Sequence, residues 1–206
     1  MDSMLAELTP VQQVSLLGVR LRALDARSDI PILGDTLSAE VAAAIGLDHG
    51  GPKIPRSVVL VHAVRSKALD NVVRQFTARH PNAVVLDLGC GLDPRMQRCD
   101  PPPGVDWYDV DFPAVTRLRE WCVPDRAHLI GVDVTSQGWL DDLPQERPTV
   151  IVTDGLMALV TGAAFTAVAR ADGALRDRRI RIQRLQSARD AQQSAHPWPA
   201  EYANRG

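Results

Sequence analysis

The chain has 206 residues, 45% of them hydrophobic, with a formal net charge of −2 and a pI near 6.2. That length fits one globular unit with a real core, and the near-neutral balance excludes the electrostatic footprint of a nucleic-acid or anionic-membrane binder. There is no basic leader followed by an apolar stretch, no run near the roughly 20 apolar residues of a membrane span, and no metal or disulfide spacing among Cys90, Cys99 and Cys122. A cytoplasmic protein is expected, with no nucleic-acid or membrane partner.

In chain order, Val11, Val14, Leu17, Leu21 and Leu24 recur at steps of three and four, with Thr9 as N-cap and Pro10 at the first helical position. Leu37, Val41, Ala44 and Ile45 repeat the pattern from Thr36, and Gly46 then His49-Gly50-Gly51-Pro52 close it. These two helices are expected to form an N-terminal lid over residues 1–56. A longer helix is expected from Ser57 to about Arg79, with Arg65, Lys67 and Asp70 in its middle. Periodicity alone reads those three as a solvated face with ordinary local pairs. His62, His80 and His128 read as ordinary helix, turn and strand-approach residues.

The stretch VVLDLGCGLDPR, Val84 to Arg95, reads as a buried strand running into the turn Gly89-Cys90-Gly91 and ending on Asp93. A turn without Cβ atoms at its first and third positions lets backbone approach a nucleotide-type cofactor closely. Asp106 to Pro113 reads as a second strand, with Asp109 and Asp111 on one face and both at the spacing where such folds place a ribose-binding acid. Ala114 to Trp121 is the next helix, and His128 to Val132 a strand that delivers Asp133. Thr149 to Thr153 is a strand presenting Asp154-Gly155. The order is that of a parallel α/β sheet with Asp93, Asp111, Asp133 and Asp154 converging on one crevice at its carboxyl edge.

With those residues in view, the chain resembles the leucine carboxyl methyltransferase and TcmP-like polyketide O-methyltransferase family. The resemblance runs from Leu16 (LLGVRLRALDARSDIPILGD) through Val64 to Asp70 (VRSKALD), LDLGCGLDPR, WYDVDFPAV and PTVIVTDGLMALVT, and stops near Ala171. It implies a Rossmann-like class I methyltransferase sheet with an N-terminal helical lid, and S-adenosylmethionine as cofactor. By the same resemblance Arg65 pairs with the methionyl carboxylate, and Gly89 and Gly91 admit the methionine part. The family's glycine turn ends in an acid, Asp93 here, which the resemblance counts among the cofactor-binding residues. Asp111 accepts from the ribose hydroxyls, and Asp133 and Val134 hold the adenine. Asp154 stands where the family usually has Glu, near the cofactor's amino end. The implied chemistry is methyl transfer to a carboxylate or hydroxyl oxygen of a small molecule. A sulfonium methyl is already an electrophile, so alignment and exclusion of water are the protein's main tasks. No general base can be named, and a carboxylate acceptor needs none. A nicotinamide dehydrogenase is disfavoured because Pro94 stands where a dinucleotide turn needs glycine.

The cofactor-binding core is expected over residues 57–172. From Gly173 to Gly206 seven arginines face three acids, giving this tail +4 and leaving −6 for the remainder. DRRIRIQRLQ does not read as a core strand, so the family's C-terminal strands are expected to be missing and the Thr149 to Thr153 strand to be an exposed edge. One reading of residues 173–206 is a basic helix or disordered tail that binds something acidic. The favoured one is translation out of frame, since a one-base shift of suitable codons for Ala174 to Gln186 yields a stretch resembling the family's next segment. The chain is then either an O-methyltransferase of doubtful turnover or a non-catalytic, cofactor-binding remnant.

Overall fold

The computed structural model describes residues 2–47, 53–124, 126–136, 138–141, 143–144, 146–154 and 182–185. Four helices come first: α1 Asp2–Ala6, α2 Val14–Ala26, α3 Thr36–Ala44 and α4 Arg56–Arg79. Strands and helices then alternate as β1 Val84–Leu88, α5 Arg95–Cys99, β2 Asp106–Asp111, α6 Pro113–Cys122 and β3 His128–Gly131, followed by β4 Thr149–Val152 and β5 Ile182–Leu185. No helix among the described residues is long and apolar enough to cross a membrane. The expected closing turn from His49 to Pro52, and residues 155–171 of the resemblance, lie outside the described residues.

Helix α2 starts at Val14, later than the Thr9-Pro10 signal suggests, because Thr9 and Gln12 spend that signal on a separate turn. The Thr9 N–H donates to Gln12 Oε1 at 2.9 Å and the Gln12 N–H to Thr9 Oγ1 at 3.4 Å. Two aspartates then fix how the chain passes from α2 to α3. Asp25 accepts the backbone N–H groups of Ile32, Leu33 and Gly34 at 3.0, 2.9 and 3.0 Å. Asp35 caps α3 by accepting from the Ser38 N–H at 2.9 Å, satisfying a donor that has no partner inside the helix.

All five strands are parallel, in the order β3-β2-β1-β4-β5. The chain moves outward one way from β1 to β3 and the other way from β4 to β5, so a topological switch point lies between β1 and β4. The register sets Leu88 beside Val110, Asp87 beside Val152, and Asp111 beside Gly131. The carboxyl ends of the first four strands therefore finish at one level. One sheet face, through Val85, Trp107, Val150 and Val152, packs on Leu69, Val73 and Phe76 of α4 and Met96 of α5. The other, through Val84, Leu86, Leu88, Val110 and Ile151, packs on Val134 and Leu143. A third cluster joins Val19, Val41 and Ile45 of the N-terminal region to Leu92 of the glycine turn and Leu118 of α6.

Strand β5 corrects the expectation that nothing after Gly173 enters the sheet. Ile182 to Leu185 run parallel to Thr149 to Val152, so β4 has a neighbour on its outer side. The expectation failed because it looked for a continuous apolar run. An edge strand needs only backbone groups in register, and charged residues are common there.

Candidate functional site

Gly89 and Gly91 follow β1 with φ of 69° and 54°, backbone conformations that residues with a Cβ rarely adopt. The turn is tied to β2 at both levels. The Gly89 N–H donates to the Val110 carbonyl at 2.8 Å, and the Gly91 N–H donates to Asp111 Oδ2 at 2.8 Å. Helix α2 closes over it, and a Cβ on Gly91 would lie 3.1 Å from Ser15 Cβ. Asp111 also accepts from the Phe112 N–H at 2.7 Å. Burial raises its carboxyl above the ordinary value, against the two N–H donors that favour ionisation. Asp109, equal to Asp111 by spacing, has a different role: it accepts from Trp107 Nε1 at 2.9 Å and pairs with Arg119 at 2.5 Å, both buried.

Beyond β3, Asp133 accepts from the N–H and hydroxyl of Thr135 at 2.8 and 2.7 Å, while Val134 turns into the apolar cluster beneath. Beyond β4, Asp154 reaches α4. Its Oδ1 accepts from Arg65 Nε at 2.6 Å, and its Oδ2 accepts from Ser66 Oγ at 2.8 Å and Arg95 Nη2 at 2.7 Å. Arg65 also directs Nη2 to His62 Nδ1 at 3.1 Å. A cavity of about 720 Å³ runs over these groups, and Arg65, Gly89, Gly91, Asp93, Asp111, Asp133, Val134 and Asp154 all line it.

Residues 16–171 match the model of the leucine carboxyl methyltransferase family. The chain belongs to that family. The tetracenomycin polyketide synthesis O-methyltransferase TcmP of Streptomyces glaucescens is 35% identical over 198 residues, 95% of this chain and 70% of that protein. That alignment is longer than residues 1–172 and so runs into the basic tail. The S-adenosyl-L-methionine-dependent methyltransferase dpfgK of Gibberella zeae is 31% identical over 171 residues, 75% of this chain and 57% of that protein. A solved structure, the plantazolicin methyltransferase BpumL in complex with SAH, aligns with a TM-score of 0.39 at 16% identity over 78% of this chain and 56% of that one. The chain thus spans 56–70% of the length of these three proteins.

The cavity floor is a buried charge network that local sequence patterns do not reveal. Asp70 is fully buried and binds Arg95 Nη1 at 2.8 Å and Arg98 Nε at 2.8 Å, which corrects its reading as part of a solvated face. Lys67 does stay exposed, donating to the Ile32 carbonyl at 2.8 Å. Asp93 accepts from Arg98 at 2.6 Å and Arg95 at 3.1 Å and lies 3.4 Å from Arg22 Nη1. Burial by itself would raise the Asp93 carboxyl, but Arg22, Arg98 and Arg95 hold it well below the usual carboxylate range. Asp154 is likewise raised by burial and lowered more by Arg95 and Arg65, to about 2.

Five carboxylates, Asp35, Asp70, Asp87, Asp93 and Asp154, thus meet four guanidiniums, Arg22, Arg65, Arg95 and Arg98. Asp87 carries the mismatch. Burial pushes its carboxyl up to about 8, although Arg95 Nε donates to it at 3.0 Å. His62, which reads from the sequence as an ordinary helix residue, lines the same cavity. Burial and then Arg22 push its imidazole down to about 4. The family motif VRSKALD carried the signal for Arg65, and Asp70 was visible as its last residue. Nothing local marks His62 or Arg22.

Proposed function

We propose that the chain is a S-adenosylmethionine-dependent O-methyltransferase, acting in the cytoplasm on a carboxylate or hydroxyl of a small molecule. The observation that carries this reading is that one cavity collects, from four strand ends and α4, a cationic end at Arg65, a glycine turn at Gly89 and Gly91, and an acid at Asp111. S-adenosylmethionine, when bound, supplies a methyl group already activated on sulfur. Arg65 holds a carboxylate through the part of its guanidinium that Asp154 and His62 leave open. Gly89 and Gly91 leave space beside the turn, and Asp111, anchored by two backbone N–H groups, turns its remaining acceptor capacity to ribose hydroxyls. Asp133 and Val134 offer a polar and an apolar contact for adenine. Asp93 keeps the turn in place through the arginines beneath it. Asp154 accepts three side-chain bonds, which leaves about one of its four lone-pair sites for an ammonium.

The acceptor side is apolar. Val11, Val14, Leu17, Val58 and Val61 line the same cavity while keeping 37–64% of their surface exposed. An organic substrate placed there would cover them and exclude water from the transfer. Residues 1–56 act in this reading as the lid and 57–172 as the cofactor-binding core. A second reading is a module that binds cofactor without turnover, with the same cavity and the same bonds at Arg65, Asp111 and Asp154. Calorimetric titration with S-adenosylhomocysteine tests the binding both readings share. Transfer of labelled methyl from S-adenosylmethionine to a panel of aromatic hydroxy acids separates them: product supports the enzyme, and tight binding without product supports the module. Absence of binding would remove both.

A further inference from the structure

We propose that His62 is a positioning residue: with Asp154 it clamps the Arg65 guanidinium by Nη2 and Nε, so that Nη1 is presented to a ligand carboxylate. This rests on the reading of Arg65 as the carboxylate partner. A guanidinium has only donors, so a ring nitrogen bonded to one must accept. A neutral imidazole has one acceptor. Two guanidiniums reach the ring, Arg65 Nη2 at 3.1 Å from Nδ1 and Arg22 Nη1 at 3.5 Å from Nε2; only one can be accepted, and the shorter contact assigns the acceptor to Nδ1 and the N–H to Nε2. The ring must therefore stay unprotonated, and its environment ensures it: the residue is 9% exposed and two guanidiniums flank it.

The partition of Arg65 follows. Nε is committed to Asp154 at 2.6 Å and Nη2 to His62, while Nη1 meets no partner among the described residues and Arg65 lines the cavity. His62 and Arg65 stand three apart on α4, so their side chains share one helix face and the clamp is built into the helix. Asp154 arrives from the opposite element, 89 residues on. A side chain with several rotatable bonds is thereby held in one orientation before ligand arrives, which lowers the ordering cost of binding.

The test is calorimetric titration of the full chain with two ligands, S-adenosylhomocysteine and 5′-methylthioadenosine, which lacks the amino-acid part. Loss of one charge-assisted bond should make His62→Leu bind S-adenosylhomocysteine about five- to tenfold more weakly, with methylthioadenosine unchanged. His62→Asn, whose amide oxygen falls near the position of Nδ1, should recover most of the loss. In an Arg65→Leu background, adding His62→Leu should cost nothing further, because the two act through one contact. Normal S-adenosylhomocysteine affinity in His62→Leu, with affinity lost in Arg65→Leu, would overturn the proposal and leave the carboxylate reading intact. So would parallel loss of both ligands in His62→Leu, or failure of His62→Asn to recover. Unchanged affinity in Arg65→Leu would instead defeat the carboxylate reading itself, and the clamp with it.

Discussion

Replacing Gly91 by alanine would set a methyl group 3.1 Å from Ser15 Cβ at a backbone φ of +54°. The left-handed conformation alone costs about 1–2 kcal/mol, and the crowding pushes α2 away from the turn. Gly91→Ala should therefore lose affinity for S-adenosylhomocysteine by more than about tenfold, measured by calorimetry. Asp87 makes a different prediction. Its carboxyl titrates near 8 in the fold against 3.8 as a free side chain, so the fold holds a proton that the unfolded chain has released, and rising pH opposes folding across that window. His62 acts the other way between about 4 and 6.5, where the unfolded chain takes up a proton that the fold refuses. The two effects offset each other up to about 6.5. Between about 6.5 and 8 only Asp87 remains, and stability should fall by up to about 1.4 kcal/mol per pH unit. Asp87→Asn should flatten that decline in urea unfolding measured across the same window.

At the scale of elements, the turn between α2 and α3 hangs on Asp25, which is 3% exposed and takes three backbone N–H groups. Asp25→Ala leaves those donors without their acceptor. It should cost at least about 2 kcal/mol, read as a lowered midpoint in thermal or urea unfolding, with Asp25→Asn recovering part. Most helices and strands were legible beforehand because α4, β1, β2 and β4 bury periodic or continuous apolar residues, as with Val84 to Leu88. The glycine turn and Asp111 were legible because their chemistry is local. What escaped was any contact whose partners are remote, such as Arg65 with Asp154 or Asp70 with Arg95 across 25 residues. A charged residue in a helix looks the same in sequence whether water or a buried partner meets it. Asp109 and Asp111 were indistinguishable for that reason, and only Trp107 and Arg119 tell them apart. Strand β5 escaped because its position comes from pairing with β4.

For the whole molecule, β5 shields the outer side of an apolar central strand. A chain ending at Asp172 would expose the backbone groups of β4 as an unpaired edge. It should melt earlier than the full chain and form larger species in light scattering at the same concentration. The N-terminal helices are held to the sheet by more than apolar contact. Arg98 alone bridges Asp35 before α3, Asp70 of α4 and Asp93 of the turn, at 2.7, 2.8 and 2.6 Å. Arg98→Met would take one partner from each of three carboxylates, of which Asp70 and Asp93 keep Arg95, and should cost about 3 kcal/mol in urea unfolding, since buried ions that lose a partner retain their desolvation penalty.

The junction near residue 56 is therefore a poor place to cut and recombine. Arg22 and Asp35 come from the first 56 residues, while Asp93 and Arg98, to which they are bound, follow β1. A hybrid that took its first 56 residues from a relative would leave Asp93 and Arg98 each short of one ion-pair partner unless it also kept an arginine and an aspartate at those two positions. Exchange of the opening helices is thus constrained by ion pairing beneath the cavity, at residues far apart in the chain.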